Sequence, residues 1–328
     1  MSGRTAMVRQ FAALLLWCVA ASTALAADYP SHQIRMLVAY PPGGGADFLA
    51  RILGPDLATR LGQPIVVENR PGANGAIGSE MLVKAAPDGY TLLLGTAGSI
   101  VIAPALYGQS RAGFESLADF APISMIASSP FAVVVNPAAP VHSIAELVAL
   151  AKSKPGKLNF GSSGVGGSPH LAAELFKSVA GIDMTHVAYK GLSPALVDLM
   201  GGQIDVVFAD VGLVLPFMKS GKLRVLGVTG PHRAAAMPDI PTVAEQGYPG
   251  YAANTWYGLY APGKTPPDIV ARLNRETNAA LNSSAVRERF AAQGLEPAGD
   301  TPDAFAKFMA DESAKWGKII KAANIHVE

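Results

Sequence analysis

Residues 34–47 read IRMLVAYPPGGGAD: the apolar run Ile34–Tyr40, a loop of prolines and glycines, and then the start of a helical pattern, Asp47–Leu61. Three further segments, Ile65–Glu68, Ile77–Lys84 and Thr91–Thr96, read as strand, helix and strand. Short apolar runs that alternate with helices predict an α/β protein with a mostly parallel sheet, covered by helices on both faces.

A second αβ series follows a proline-rich link. The predicted strand Phe131–Val135 runs into Asn136–Pro140, after which Ser143 and Glu146 predict a capping box for a helix. The next predicted strands and helices are 158–160, 168–179, 184–189, 194–200, 206–209 and 223–229, and then a last strand, 255–260, and helices beginning near 266, 284 and 302.

The two ends of the chain therefore bracket a central αβ series. We expect a discontinuous first lobe, 28–136 plus 253–328, and an inserted second lobe, 137–252. Two crossing strands should join the lobes, and a ligand cleft should lie where they cross. The chain shows no internal repeat and no low-complexity segment.

Three loops connect a predicted strand to the N-terminus of a helix: Tyr40–Asp47, Gly161–Pro169 and Tyr189–Ala195. Glycines let a backbone turn with its amides facing outward, and a helix N-terminus presents unpaired N–H groups and the positive end of a dipole. In open α/β sheets, ligands bind beyond the carboxyl ends of the strands. Three such loops in two lobes predict an anion-binding cleft that needs no arginine.

Some polar side chains in these loops have two interpretations. Asp47 either caps the first helix or contacts the ligand or an ordered water. Ser168 is predicted to be an N-cap, and His170 is either a packed or capping side chain or a ligand-binding one.

The N-terminus has the features of a secretory signal peptide. Arg4 and Arg9 precede the apolar run Phe11–Ala21, and small residues lead to cleavage near Ala26 or Ala27, which defines residues 1–27 as the signal and predicts a periplasmic protein. A membrane anchor would need roughly twice this apolar length. Cys18, the only cysteine, follows Trp17, where lipid attachment requires a small residue, so the mature chain should contain no cysteine and no disulfide.

Charge and composition exclude several classes of partner. The 328 residues contain 26 basic and 25 acidic side chains; without residues 1–27, which include Arg4 and Arg9, 24 basic residues face 25 acidic ones, and no basic run occurs. We therefore expect no nucleic-acid ligand and no direct membrane contact.

Known enzyme signatures give no support for catalysis. The sequence has no His-Glu-x-x-His, Ser-x-x-Lys or Gly-x-Ser-x-Gly motif, and its six histidines lack metal-ligand spacing. Gly258–Thr265 does fit the P-loop pattern, and Val206–Asp210 fits the apolar run and aspartate that would hold magnesium. However, Pro266 and Pro267 remove amide donors where a P-loop needs them. We expect no enzyme activity, no cofactor and no metal.

Several motifs, taken in order, resemble one family. They are the loop Pro41–Asp47, Val67–Ala73, Pro87–Tyr90, Tyr189–Gly191 with Pro194-Ala195, Pro241–Gly247 and Trp256–Gly258. They are similar to the Bug-type substrate-binding proteins of tripartite tricarboxylate transporters, over nearly the whole mature chain. The resemblance implies a type II periplasmic-binding-protein fold that closes by a hinge and holds carboxylates mainly through backbone amides and ordered waters.

The loops and the family resemblance together predict a set of ligand-binding residues and a role. Asp210 could meet a ligand amine or hydroxyl, or could be only a loop or cap residue, and Lys190 could be only a solvated neighbour. The expected ligand-binding residues are Pro42, Gly43, Gly44, Gly45, Ala46, Asp47, Thr96, Ser99, Ser162, Ser163, Gly164, Ser168, His170, Tyr189, Lys190, Gly191, Ser193 and Asp210. The protein should be a monomer that delivers a small organic acid to membrane transporter subunits, or else presents it to a membrane sensor kinase.

One segment departs from the family pattern. Where the family commonly has Thr-His-Ala-x-Asn-Pro, this chain has Ser99–Pro104, with aliphatic residues that include Val101 and Ala103. The departure predicts a more apolar cleft wall and a monocarboxylate, an aromatic acid or another partly apolar acid rather than a tricarboxylate.

Overall fold

The computed structural model describes residues 29–108 and 110–325. The predicted signal peptide and its cleavage site lie outside this range. The strands are β1 Ile34–Val38, β2 Ile65–Asn69, β3 Thr91–Thr96, β4 Phe120–Val135, β5 Asn159–Ser162, β6 Thr185–Ala188, β7 Val206–Asp210, β8 Arg224–Val228, β9 Asn254–Pro262 and β10 Glu296–Pro297. The helices are α1 Gly45–Leu61, α2 Ala76–Val83, α3 Ala103–Tyr107, α4 Ile144–Ser153, α5 Ser168–Ala180, α6 Leu192–Met200, α7 Val211–Lys219, α8 Pro267–Leu281, α9 Ser284–Ala291 and α10 Pro302–Ala322.

Alternate side chains of the central strands enter different hydrophobic layers. Met36 of β1 packs in a cluster with helix α1, whereas its neighbour Leu37 packs in a second cluster on the opposite face. Leu92 and Leu93 of β3 divide in the same way. Strands buried on both faces read as continuous apolar runs, which is the pattern in the sequence, so the predicted two-faced α/β arrangement is confirmed.

The strands follow the order β2-β1-β3-β9-β4-β7-β5-β6, and β8 and β10 also pair with β4. The outer groups β2-β1-β3 and β6-β5-β7 are parallel. Between them, β4 and β9 pair with each other and with their neighbours in antiparallel fashion. The molecule thus has two αβ lobes joined by these two long strands, as the sequence predicts.

Strand β4 crosses from one lobe to the other. Its residues Phe120–Pro130 pair with β9, and Phe131–Val135 pair with β7 and β8. The return crossing lies beside the first, since Pro130 of β4 pairs with Asn254 of β9. Just before β9, the backbone amide of Ala253 donates to Thr229 O at 2.9 Å. The exact lobe limits 28–136, 137–252 and 253–328 stay a prediction.

Helix α10 ties the crossing region to both lobes. The buried carboxylate of Glu312 accepts hydrogen bonds from the indole N–H of Trp256 on β9 (3.0 Å) and of Trp316 on α10 (2.8 Å). Trp316 and Ile320 belong to the same buried cluster as α5 of the inserted segment. One hydrophobic cluster is therefore continuous across the two lobes.

Two local predictions were wrong in detail, and one helix was missed. Strand β4 begins at Phe120, well before the predicted Phe131, and α7 had not been predicted at all. The Ser143–Glu146 capping box is only half formed: Ser143 Oγ accepts from Glu146 N, but the Glu146 carboxylate accepts from His142 N. Along the described residues, no helix is long and apolar enough to span a bilayer.

Candidate functional site

A cavity of about 580 Å³ lies between the two lobes, at the crossing strands. Both lobes and both strands contribute to its wall. The lining residues are Tyr40, Pro41, Pro42, Gly44, Gly45, Ala46, Thr96, Gly98, Phe131, Ser163, Gly166, Gly167, Ser168, Pro169, Gly191, Leu192, Ser193, Asp210, Leu213, Thr255 and Tyr257. The size is typical of sites for small molecules.

The first predicted loop delivers the N-terminus of α1 to this cavity. Gly44 is the N-cap, with extended backbone and no capping side chain, and Gly45 and Ala46 form the first turn. Pro42, Gly44, Gly45 and Ala46 line the cavity, as expected from their place in the loop, and Gly43 lines a smaller adjoining cavity. The amides of a first turn have no partner within the helix, and these residues line the cavity, so they are potential donors to a bound anion.

Asp47 is positioned differently from the prediction. It is the third residue of α1 rather than its N-cap, and it does not line the cavity. Its carboxylate accepts from Gly43 N (2.9 Å), Asn69 Nδ2 (2.9 Å) and Arg51 Nε (3.0 Å). The hydrogen bond from Arg51, followed by those from Gly43 and Asn69, lowers the pKa of Asp47 to about 2 despite its burial. Asp47 therefore holds the shape of the glycine loop from behind.

The second predicted loop presents the N-terminus of α5. Ser163, Ser168 and Pro169 line the cavity. Ser168 is the first helical residue and Gly167 is the N-cap, so the prediction that Ser168 caps the helix was wrong. Ser162 and Gly164 lie behind the wall, where Ser162 Oγ accepts from Gly164 N at 3.1 Å.

His170 belongs to a stack of rings under this loop and does not line the cavity. The centroid of its imidazole ring lies 3.8 Å from that of His186, and the His186 ring in turn stacks on Phe160. His170 Nδ1 accepts from Gly166 N at 3.0 Å. Burial, and then the neighbouring His186 and Lys177, lower the pKa of His170 to about 3, so the ring is a neutral acceptor that fixes the loop.

The third predicted loop brings the N-terminus of α6 to the cavity. Gly191, its N-cap, and Ser193 line the wall. Tyr189 points away, because its hydroxyl donates to Asp198 Oδ2 at 2.7 Å, and Lys190 is exposed outside the cavity. The loop is therefore part of the wall, but those two predicted side chains are not.

The end of β3 supplies hydroxyl groups. Thr96 lines the cavity and its Oγ1 lies 2.9 Å from the hydroxyl of Tyr40. Ser99 is fully buried behind it, where Ser99 Oγ accepts from Thr96 N at 3.1 Å. Val101 and Ala103 are also buried, in the hydrophobic cluster that spans the lobes, and do not line the cavity. Val101 and Ala103 therefore do not make the cleft wall apolar, and the prediction that they do was wrong.

Among the described residues that line the cavity, Asp210 is the one acidic side chain, and none is a lysine, arginine or histidine. It is the last residue of β7 and the N-cap of α7, although its side chain makes no capping hydrogen bond. Burial raises the pKa of Asp210 to about 6. An anion in this cavity would be held by amides and hydroxyls, with a weakly acidic carboxyl nearby.

Eleven lining residues were absent from the predicted set. Seven lie beside or near predicted residues in the same loops: Tyr40, Pro41, Gly98, Gly166, Gly167, Pro169 and Leu192. The other four are Phe131, Leu213, Thr255 and Tyr257. Phe131, Thr255 and Tyr257 come from the crossing strands, at the place where the cleft had been predicted, so their position at the crossing was the available signal. Leu213 lies on α7, which periodicity did not reveal.

The P-loop-like segment cannot cradle phosphate in this fold. Gly258 lies inside β9, paired with Gly95 of β3 and Met125 of β4. The amide of Gly263 donates to Asp119 O at 2.8 Å, and that of Thr265 to Pro262 O at 2.9 Å. Within the described ranges, no cluster of His, Cys, Asp and Glu could hold a metal ion.

A two-lobed α/β molecule with helix N-termini around an interlobe cavity defines a solute-binding protein. Residues 49–325 match the family described as tripartite tricarboxylate transporter family receptor. The chain is 41% identical to protein BugT of Bordetella pertussis over 293 residues, covering 89% of this chain and 90% of that protein. It therefore belongs to the tripartite tricarboxylate transporter receptor family, whose members are solute-binding receptors and not enzymes.

Solved structures agree with this assignment. Rpa4515 of R. palustris, solved with adipate, has a TM-score of 0.78 and 34% identity, covering 91% of this chain and 99% of that one. MatC of Rhodopseudomonas palustris, solved with bound malate, has a TM-score of 0.73 and 30% identity, covering 89% and 100%. The predicted type II periplasmic-binding-protein fold and the resemblance to Bug proteins are confirmed.

Proposed function

We propose that this protein captures an organic acid, as its carboxylate, in the interlobe cavity and delivers it to a membrane transporter of the tripartite type. The observation that carries the proposal is the convergence of the N-termini of α1, α5 and α6 on a wall without a cationic side chain. Unpaired amides at helix N-termini bind anions through hydrogen bonds and the helix dipole.

Hydroxyl groups complete the polar part of the wall. Ser163, Ser168 and Ser193 are on the inserted segment, and Thr96 is on the first lobe. A hydroxyl donates to a carboxylate oxygen without adding charge. Relatives solved with adipate and malate are consistent with a carboxylate ligand.

Capture is proposed to occur by hinge closure of the lobes 28–136 plus 253–328 and 137–252. The hinge would lie near Pro130 on β4 and Asn254 on β9, where the two crossing strands pair with each other. A ligand that contacts both lobes shifts the population toward the closed form. Export to the periplasm by cleavage near Ala26 or Ala27, and action as a monomer, belong to the same proposal.

Calorimetry with matched acid and amide pairs tests the carboxylate requirement. Adipate, malate and benzoate are compared with adipamide, malamide and benzamide; acids should bind and amides should not. Ser193→Asp places a negative charge in the wall and should abolish binding, whereas Ser178→Asp, exposed on α5 outside the cavity, should leave it intact. Equal affinity for acids and amides, or full binding by Ser193→Asp, would contradict the proposal.

A further inference from the structure

Two glycines from different lobes pack backbone against backbone beside the crossing strands. Gly212, the second residue of α7 in the inserted lobe, lies against Gln293 and Gly294, which follow α9 in the first lobe. A Cβ atom at Gly212 would lie 2.1 Å from Gln293 O, and one at Gly294 would lie 2.8 Å from Gly212 N. Each glycine therefore leaves room for the backbone of the other lobe. We call this packing of Gly212 on Gln293 and Gly294 the glycine contact.

The first-lobe side of the glycine contact is fastened to crossing strand β4. Ser129 Oγ donates to Gly294 O at 3.1 Å. Just beyond Gly294, strand β10 pairs with Ala127 and Ser128 of β4. The turn after α9 is thus held to β4 immediately before that strand enters the inserted lobe at Phe131.

The inserted-lobe side is fastened to the next stretch of the same strand. Asp210, the last residue of β7, pairs with Phe131 of β4, and α7 follows directly. Gly212 is therefore two residues away from a strand pairing with β4. Since both sides of the contact are tied to β4 within residues 127–131, the contact lies close to the proposed hinge.

Backbone atoms leave this contact little freedom to yield. Heavy atoms that are not bonded to each other rest about 3.5 Å apart, so a methyl group at Gly212 would have to move Gln293 O by about 1 Å or more. The obstructing atom belongs to the backbone and not to a flexible side chain, so the two segments must separate. A separation near a hinge rotates the lobes, and the rotation displaces parts of each lobe further from the hinge by a larger distance.

The contact also determines where part of the cavity wall lies. Asp210 and Leu213, on either side of Gly212, line the interlobe cavity. The facing part of the wall, which includes Gly44 and Gly45, belongs to the first lobe. The distance between these two parts of the wall therefore depends on how closely α7 approaches the turn after α9.

We propose that the glycine contact is the pivot of lobe closure: Gly212 and Gly294 are positioning residues that let the inserted lobe close over a bound acid. The inference rests on the proposed function and adds the contact that sets the closed geometry. A methyl group at the pivot should hold the lobes apart without altering any side chain that lines the interlobe cavity.

Gly212→Ala is the direct test. Calorimetry with adipate, malate and benzoate identifies the acid that the wild-type protein binds most tightly, and that acid is then titrated into each variant. Gly212→Ala should lower the affinity at least about ten-fold, because the closed form would be accessible to about a tenth of the molecules or fewer. Gly317→Ala, on α10 with no atom within 4 Å of the added Cβ, is the matched helical control and should keep the wild-type affinity.

Small-angle scattering separates the position of the lobes from the stability of the fold. With saturating acid, the wild-type protein and Gly317→Ala should become more compact than they are without ligand. Gly212→Ala should become less compact than either at saturation. A variant that only loses stability would still compact fully in its folded fraction, which urea denaturation measures.

Gly294→Ala tests the other side of the contact and replaces Gly212→Ala if that variant does not fold. Gly294 has a φ of 66°, so its substitution also carries the cost of a positive φ. Gly181→Ala, with φ 62° and open space, carries that cost alone and should not weaken binding. The affinity losses of Gly212→Ala and Gly294→Ala should add to less than their sum in the double variant, because the first methyl group has already separated the backbones.

The outcomes separate this proposal from the proposed function. Wild-type affinity and full compaction in Gly212→Ala, or fully additive affinity losses in the double variant, would overturn the pivot and leave acid capture standing. If the wild-type protein binds no acid of the panel, both proposals are wrong.

Discussion

The hydroxyl group of Tyr257 lies over the α-carbon of Gly45, so closely that a Cβ atom at residue 45 would come within 2.5 Å of it. Tyr257 belongs to crossing strand β9, and Gly45 is the first residue of α1. The contact couples the position of the anion-binding turn to the strand that connects the lobes. A side chain at residue 45 would make Tyr257 or the turn shift because of this close approach, whereas the backbone conformation of Gly45 is ordinary.

Gly45→Ala should therefore displace Tyr257 and the first turn of α1. We expect the affinity for the bound acid to fall at least about ten-fold, or about 1.4 kcal/mol, by calorimetry. Gly54→Ala is the control, because Gly54 lies on the same helix outside the cavity and its Cβ would meet nothing nearer than Ile65 Cγ2 at 3.6 Å. Adding Tyr257→Phe to Gly45→Ala should recover part of the loss. Equal losses in the Gly54 and Gly45 variants would show that the contact is not the cause.

Gly166, which lines the cavity, makes a second close contact, with Leu106. Its φ is 74°, and an added Cβ would collide with Leu106 Cδ1 of α3. Gly166→Ala should lower the free energy of unfolding by more than the cost of positive φ alone. Gly181→Ala, with φ 62° and open space around it, measures that cost, about 1 kcal/mol.

Leu106→Ala should relieve the steric part of the Gly166→Ala effect. Urea denaturation of both single variants and the double variant gives the coupling between the two sites. If the losses of unfolding free energy in the two single variants simply add in the double variant, the Leu106 side chain is not the cause of the Gly166→Ala effect.

Asp47 should make stability depend on pH. Its folded-state pKa, about 2, is below the unfolded value, so its hydrogen bonds stabilise the fold fully above about pH 4 and progressively less as pH falls toward 2. Asp47→Asn should lower the free energy of unfolding by about 2 kcal/mol at pH 7, and the difference from wild type should shrink as the pH falls.

The control is Asp56→Asn, which breaks a surface ion pair with Arg60 on the same helix and should lower the free energy of unfolding by about 0.5 kcal/mol or less. Denaturation curves at several pH values measure both, and a pH-independent difference would contradict this role.

Asp210 should make stability depend on pH in the opposite direction. Its pKa, raised to about 6, means that the folded state binds a proton more tightly than the unfolded state, so its contribution to stability falls as pH rises from about 4 to 6. Ionised Asp210 also repels a bound carboxylate. Affinity for the acid should drop a few-fold as pH rises through 6, and Asp210→Asn should remove that dependence. Calorimetry from pH 5 to 8 measures this change in affinity. If Asp210→Asn keeps the wild-type dependence of affinity on pH, the titrating group is not Asp210.

Local sequence signals predicted the lobes and the cavity-facing loops well. Strand–loop–helix units such as 34–61 carry apolar runs, glycines and helix starts within a few residues, so their place at the carboxyl ends of strands follows from local chemistry. Residues that enter the site through long-range pairing were missed. Tyr257 reaches the cavity because β9 pairs with β3 and β4, which are far away in sequence.

Side-chain direction was the other limit. The loop sequence places Asp47, His170 and Tyr189 beside the cleft, and in each case a distant or neighbouring partner turns the polar group away: Asn69 for Asp47, Gly166 for His170 and Asp198 for Tyr189. A motif predicts which residues are near a site, but hydrogen-bond competition in the packed structure decides which of them face it.

The sequence by itself determined the alternation of strands and helices, the two-lobed order and the glycine-rich anion loops, because these depend on periodicity and on local backbone chemistry. Only the tertiary structure decided that Val101 and Ala103 lie in the core, that Phe131 and Tyr257 line the cavity, and that Asp47 and His170 do not. The reason is physical: the first group of features is set by contacts within a few residues, and the second by which strands pair and which faces they bury.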